Sequence, residues 1–161
     1  MLTYEVGGGM PLSSAYAGYG TEVELATTAT KDGYEFEGWY LSPDYSGEKV
    51  TKITLCGDTT AYAKWIKLYL VNIDADGGFA YPASIQLKAG EELLSNLESI
   101  SAQKTDCKFG EWLIDGEPIT LSFVMPEKDI TVKAKYMIKY TVDIYREGVD
   151  GNYVKDAEPT V

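Results

Sequence analysis

Residues 59–65, "TTAYAKW", alternate strictly: Thr59, Ala61, Ala63 and Trp65 fall on one face, and Thr60, Tyr62 and Lys64 on the other. The same phase returns in "ITVKAKY", where Ile130, Val132, Ala134 and Tyr136 oppose Thr131, Lys133 and Lys135. A period of two, held over seven positions twice, predicts two half-buried strands and puts Trp65 and Tyr136 in cores. "TEVEL" (21–25) turns Val23 and Leu25 inward, as "SIQL" (84–87) turns Ile85 and Leu87. "GEELLSNLESI" (90–100) breaks the rule. There Leu93, Leu97 and Ile100 recur at helical spacing behind acidic residues and predict a helix over about 91–101. At the matching place the first half of the chain has only "ATTATKDG", enough for a turn. Phe36 and Trp39 are three apart, as are Phe109 and Trp112, so a regular strand would split each pair between two faces. Either both faces are covered or a β-bulge rotates the strand, and Gly38 suits the bulge.

The chain also repeats itself. "FEGW" (36–39) returns as "FGEW" (109–112), and "DTTAYAKW" (58–65) as "DITVKAKY" (129–136). "YEVGGG" (4–9) matches "IDADGG" (73–78). The offsets of 73, 71 and 69 define a unit of about 70 residues. Tyr69, Val71 and Ile73 recur once more as Tyr140, Val142 and Ile144. The expected organisation is therefore 1–66, 67–137 and the start of a third unit over 138–161. No Pro/Gly/Ser linker separates Trp65 from Tyr69, which predicts a stiff junction, and units this small gain from docking on their neighbours. In this alignment the first unit lacks the start of its opening strand, so the chain reads as a segment of a longer array.

Composition narrows the function classes. The 45% apolar content, with 13 Tyr and 3 Trp, suits a folded β-rich chain of 161 residues. Its 14 basic and 25 acidic groups give a net charge of −11, spread as −5, −4 and −2 over the three units. Nucleic acid and anionic membranes would meet like charge, so neither is an expected partner. The absence of histidine removes Ser-His-Asp and Cys-His catalysis. Cys56 and Cys107 form no CxxC and are expected as two small buried thiols rather than a disulfide. "DADGG" (74–78) lacks the Glu that would complete a calcium loop, since Ile85 stands at its twelfth position, and reads as a tight turn. "EGVDGN" (147–152) reads the same way. "GGGMP" is not followed by GK[ST], and Glu22/Glu24 and Glu35/Glu37 read as solvent-facing positions rather than a catalytic dyad. No enzyme, cofactor or metal site is expected. The best binding lead is "PLSSAYAGYG" (11–20), a small-residue loop with Tyr16 and Tyr19, with Tyr45 of "SPDYSG" as a third candidate. No stretch of similar composition recurs in the second unit, which favours a spacer over a multivalent binder.

"KDGYEFEGWYLSPDYSGEKVTKITLCGDTTAYAKW" closely resembles the internalin-type B repeat, also called the Listeria–Bacteroides repeat. Gly33, Tyr34, Phe36, Gly38, Trp39, Asp58, Thr60, Tyr62, Lys64 and Trp65 match its motif, where the resemblance implies structural roles. Residues 67–137, with Phe109, Trp112 and Tyr136, resemble a divergent form of the repeat. Glu111 replaces the Gly before Trp112, and Tyr136 replaces the final Trp. Residues 138–161 resemble the start of a related repeat. The likeness implies an α+β, β-rich chain of tandem ubiquitin-like β-grasp units forming an elongated rod on a bacterial cell surface. Such a rod would hold an adhesive or enzymatic domain away from the wall. Its expected partners are neighbouring repeats, with a host surface protein or neutral glycan as the alternative.

Overall fold

The alternating stretch 59–65 and the stretch bearing Tyr69, Val71 and Ile73 fold as one strand. The computed structural model describes residues 1–140, 142, 145–147 and 152–155. In chain order its elements are β1 (Leu2–Glu5), β2 (Thr21–Glu24), β3 (Tyr34–Tyr40), β4 (Lys52–Leu55) and β5 (Thr59–Asp74). There follow β6 (Phe79–Tyr81), β7 (Ser84–Lys88), α1 (Leu93–Leu97), β8 (Ser101–Gln103) and β9 (Cys107–Ile114). The last are β10 (Glu117–Pro118), β11 (Ile130–Ile138), β12 (Tyr145–Glu147) and β13 (Tyr153–Lys155). The described residues are thus β-rich with one short helix. The proposed third unit lies mostly outside the described residues, as does most of 147–152; within it β12 pairs antiparallel with β13.

At 16 residues, β5 is long because its alternation never loses phase. Ala61, Ala63 and Trp65 face one apolar cluster, while Tyr69, Val71 and Ile73 face another. All six are odd-numbered; the odd position between them is the exposed Lys67, whose ammonium lies 4.8 Å from the Tyr69 ring. A charged residue at the seam thus divides two cores that share a backbone ladder.

Both edges of β5 are used twice. Along one, β3 pairs antiparallel up to Tyr34↔Lys67, and β7 takes over antiparallel from Lys88↔Leu68. Along the other, β1 pairs in parallel with the first part and β11 in parallel with the last. The second sheet runs β7–β5–β11–β9–β10, with its parallel opening and closing strands at the centre. The first repeats the parallel pair, with β1–β5–β3, while β2 pairs with β4 as a separate ribbon. Two contacts stitch the seam: the Leu68 amide donates to the Gly33 carbonyl at 2.9 Å, and Lys88 pairs with Glu35 at 3.1 Å.

The first core gathers Leu2, Leu25, Trp39, Ile53, Leu55, Ala61 and Ala63; the second is built on Val71, Leu87, Leu93, Leu97, Trp112, Met125 and Val132. Trp65 and Tyr136, expected inside, are half-buried at the margins of these clusters. The bulge is present in both units. Pairing passes from Phe36↔Trp65 to Gly38↔Lys64, skipping Glu37, and from Phe109↔Tyr136 to Glu111↔Lys135, skipping Gly110. It turns Phe36 and Trp39 onto one core, with rings 5.0 Å apart, and does the same for Phe109 and Trp112, also 5.0 Å. The second unit therefore keeps a bulge glycine but moves it by one position.

Three further expectations change. The helix is five residues, not eleven: Glu92 is its N-cap without a side-chain cap bond, and Glu98 stands at its C-cap. Acids thus precede the first turn, and a carboxylate sits at the end the helix dipole disfavours. Ser95 and Asn96 spend their polar atoms on the Glu92 carbonyl, at 3.4 and 2.7 Å, as such residues do where helices are weak. Second, residues 21–25 do not occupy the place of 84–87. Ala15 bridges Leu2 antiparallel where Ile85 pairs with Val71, so the 11–20 loop contains the reduced counterpart of β7. Third, the cysteines are free, but Cys56 is exposed and Cys107 half-buried.

Candidate functional site

Backbone pins the 11–20 loop while leaving its tyrosines outside. Leu2 and Ala15 exchange both amide–carbonyl bonds, at 2.8 and 2.9 Å, and the Gly20 amide donates to the Leu55 carbonyl at 2.8 Å. Tyr16 and Tyr19 stand 80% and 85% exposed. Tyr45 belongs to a different turn, with φ of 59°, and its ring packs edge-on against Tyr40 at 5.9 Å. Asp44 holds that turn by accepting from the Ser42 hydroxyl and the Ser46 amide, which lower its pKa to about 2. Tyr16 and Tyr19 thus share one loop, and Tyr45's ring contact is with Tyr40. Since neither loop tyrosine is buried, the Tyr16→Ser/Tyr19→Ser double variant is expected to keep its unfolding free energy in urea within about 0.5 kcal/mol of the parent.

The motif residues build an aromatic core and its approaches. Trp39 is 2% exposed, contacts the Tyr4 and Phe36 rings at 4.7 and 5.0 Å, and donates its indole N–H to the Ala26 carbonyl at 2.7 Å. Gly33 turns the chain into β3 with φ of 73°. Tyr34 lies under Lys31, whose ammonium is 4.3 Å from the ring. Lys64 pairs with Glu37 at 3.1 Å, and this hydrogen bond raises the lysine pKa. Thr60 and Tyr62 are half-buried on β5, in register with Thr3 and Glu5 of β1, while Asp58 is exposed just before it. Outside Trp39 lies a groove of about 460 Å³ between Leu25–Ala26, the bulge and Lys49–Val50. The lysine stem crosses Gly38 so closely that a Cβ there would displace it. Its ammonium reaches the Glu37 carbonyl at 3.3 Å.

A second arrangement, which sequence reading passed over, occurs in both the first and the second unit. Val6–Gly9 and Ala75–Gly78 are tight turns with two positive φ values each: 52° and 84° at Gly7 and Gly8, 49° and 77° at Asp76 and Gly77. This is the I′ conformation that matches strand twist. In each the fourth amide returns to the first carbonyl, at 2.9 and 2.8 Å. In each a lysine caps the second carbonyl, Lys31 on Gly7 at 2.7 Å and Lys104 on Asp76 at 2.6 Å. Each lysine also lies over an aromatic ring, Trp65 at 5.9 Å or Tyr136 at 5.5 Å. The signal was available: Lys31 and Lys104 share the 73-residue offset of the FEGW motif.

The copies differ at the ring. Trp65 donates its indole N–H to the Val6 carbonyl at 2.9 Å, whereas the buried Tyr136 hydroxyl has no hydrogen-bond partner. Burial pushes that phenol above its ordinary 10.0. Deleting an unsatisfied buried hydroxyl removes a desolvation cost, so Tyr136→Phe is expected to be neutral or to stabilise the chain by up to about 1 kcal/mol in urea unfolding.

Asp74–Gly78 forms this turn, with lysines on its central carboxylate. Asp76 pairs with Lys133 at 2.7 Å and with Lys104 at 3.1 Å. Hydrogen bonds from Lys133 and then Lys104 hold its carboxyl below the ordinary 3.8. A depressed carboxyl stabilises the fold above its unfolded pKa, and that contribution is lost as pH falls through the folded value. The acid side of the stability profile, below pH 3.8, is therefore expected to flatten in Asp76→Asn, read by unfolding midpoints across the titration. Among the described residues no group of three or more Cys, Asp or Glu side chains is placed to hold a metal ion.

The likeness noted from the motif has a counterpart among known families. Residues 1–64 match the family model of the Listeria-Bacteroides repeat domain. Two curated proteins of Evansella cellulosilytica are similar to this chain. One, named "Putative Gly-rich membrane protein", is 34% identical over 79 residues, covering 48% of this chain and 9% of its own length. The other, named "Putative membrane protein", is 26% identical over 169 residues, covering 98% of this chain and 24% of its own. The chain thus spans less than a quarter of either relative's length. No solved structure gives a significant match.

Proposed function

We propose that this chain is a non-catalytic repeat segment of a cell-envelope protein, acting as a stalk that projects a distal adhesive or enzymatic domain. The observation that carries the reading is β5, a single strand serving two cores with no linker between them. Strand pairs along both of its edges resist bending where a flexible connection would hinge. The order β7–β5–β11–β9–β10, with parallel opening and closing strands, supports tandem β-grasp units. The family match over 1–64 and the membrane-protein names of the relatives support a repeat protein of the bacterial envelope. On this reading neighbouring repeats are the principal partners, and a net charge of −11 keeps the rod soluble and off anionic surfaces. Small-angle scattering tests it: an elongated monomer with one sharply defined maximum dimension is expected, and a compact or broadly distributed particle would sink it.

A second reading is an adhesive module that holds a host protein or neutral glycan through Tyr16, Tyr19 and Tyr45. It is favoured by the exposure of Tyr16 and Tyr19 on a loop whose backbone is pinned. Saturable binding to a matrix protein at physiological salt, abolished in Tyr16→Ser/Tyr19→Ser, would establish it.

A further inference from the structure

The ribbon β6–β8 is built inside out. Its central pair, Ala80 opposite Ala102, is half-buried against the second core. The alternate positions Phe79 and Tyr81 point away from that core, 66% and 70% exposed. They pair with Gln103 and Ser101, which are also exposed. Burying the rings and exposing the alanines would remove far more apolar surface from water, so packing does not explain the pattern. Two same-face aromatics on adjacent alternate positions, flanked by an amide and a hydroxyl from the paired strand, form a small uncharged platform. The Gln103 amide already reaches the Ser101 hydroxyl at 3.4 Å.

The platform has a concave end. Phe79 and Gln103 also line a hollow of about 410 Å³, together with Gly77, Gly78, Lys104 and Thr105. That volume falls within the roughly 300–1,000 Å³ of small-ligand pockets. At its edge Gly78 lets the Gln103 carbonyl close in on the turn, where a Cβ would clash. Lys104, the cation on its rim, is held by Asp76 at 3.1 Å and by the Asp76 carbonyl at 2.6 Å. An anionic ligand would therefore compete with an existing ion pair inside a chain of net charge −11.

From these features we propose that Phe79, Tyr81, Ser101 and Gln103 form a binding site for a neutral oligosaccharide. Sugar rings present apolar C–H faces that stack on aromatic rings, and their hydroxyls match an amide and a hydroxyl that carry no charge. The adjoining hollow receives one ring of the chain beyond Phe79. In the first unit Met10, Pro11 and Leu12 stand where Phe79, Ala80 and Tyr81 stand here, so the site belongs to the second unit. It is separate from the 11–20 loop, and neither reading of the whole chain requires it.

The test is amide chemical-shift titration of the full chain with cello-, chito- and manno-oligosaccharides, and with an oligogalacturonide as the anionic comparison. The proposal expects saturating shifts at 77–81 and 101–105 with at least one neutral series, unchanged by salt. Phe79→Ser and Tyr81→Ser should each weaken binding by about tenfold or more, while Tyr16→Ser/Tyr19→Ser leaves it unchanged. Because both rings are exposed, these variants should keep the parent's dispersed spectrum. Silence from all three neutral series, binding that persists in the Phe79→Ser/Tyr81→Ser double variant, or preference for the oligogalacturonide would each overturn it. So would saturation of this face by an unrelated extended peptide instead of any sugar.

Discussion

Trp39→Ala is expected to cost about 3–5 kcal/mol, the range for removing a large buried aromatic side chain. Three losses coincide at this position. The indole is 2% exposed, so nearly its whole surface returns to cavity or water. Its packing against Tyr4 and Phe36, at 4.7 and 5.0 Å, disappears. Its N–H leaves the Ala26 carbonyl, 2.7 Å away, without that donor. The groove outside Trp39 gives water a route to that carbonyl, which moderates the last loss but not the first two. Urea unfolding followed by circular dichroism measures the change. A loss below about 1.5 kcal/mol would mean that Trp39 is not the keystone of the first core.

Gly78→Ala should be the most damaging change outside the cores, at about 1–3 kcal/mol or more. The added methyl would fall inside contact distance of the Gln103 carbonyl, with the Tyr136 hydroxyl at 3.0 Å and the Ala75 carbonyl at 3.1 Å. Two of those neighbours are backbone, so relief requires moving β8 or the turn itself. Gly77→Ala is the control: its methyl meets open space, and only the φ of 77° resists it. That left-handed cost is about 1–2 kcal/mol. If Gly78→Ala unfolds at higher urea than Gly77→Ala, close approach is not what the second turn glycine provides.

What the sequence made legible was local and periodic. The alternation of 59–65 and 130–136 named the inward faces, and the three-residue spacing of Phe36 and Trp39 called for a bulge. The shared strand was half visible: Ala61 through Ile73 keep one parity with no linker between the units, but the charged Lys67 interrupts the apolar face where the unit boundary falls. The helix was over-read because Leu93, Leu97 and Ile100 keep helical spacing, whereas Glu98 and the Ser/Asn side chains end it early. Ala15 gave no strand signal, since a lone bridge among small residues has no alternation to detect. Of the candidate tyrosines, the pattern indicated Tyr16 and Tyr19 through loop composition but could not show that Tyr45 rests on Tyr40. Phe79 and Tyr81 alternate with Ala80 as core residues would; only the inward-facing partners Ala80 and Ala102 show that the strand is turned over.

The central claim is that β5 joins the two units without a hinge. Cys56 and Cys107, both free and one on each side of the seam, allow it to be tested without adding a label site. Nitroxides on both thiols, with their separation measured by pulsed electron–electron resonance, should give one narrow distance distribution. It should broaden on inserting several Gly-Ser residues between Ile66 and Lys67. A distribution already broad or multimodal in the parent chain would contradict the account, because a hinged pair of units cannot act as a stiff stalk.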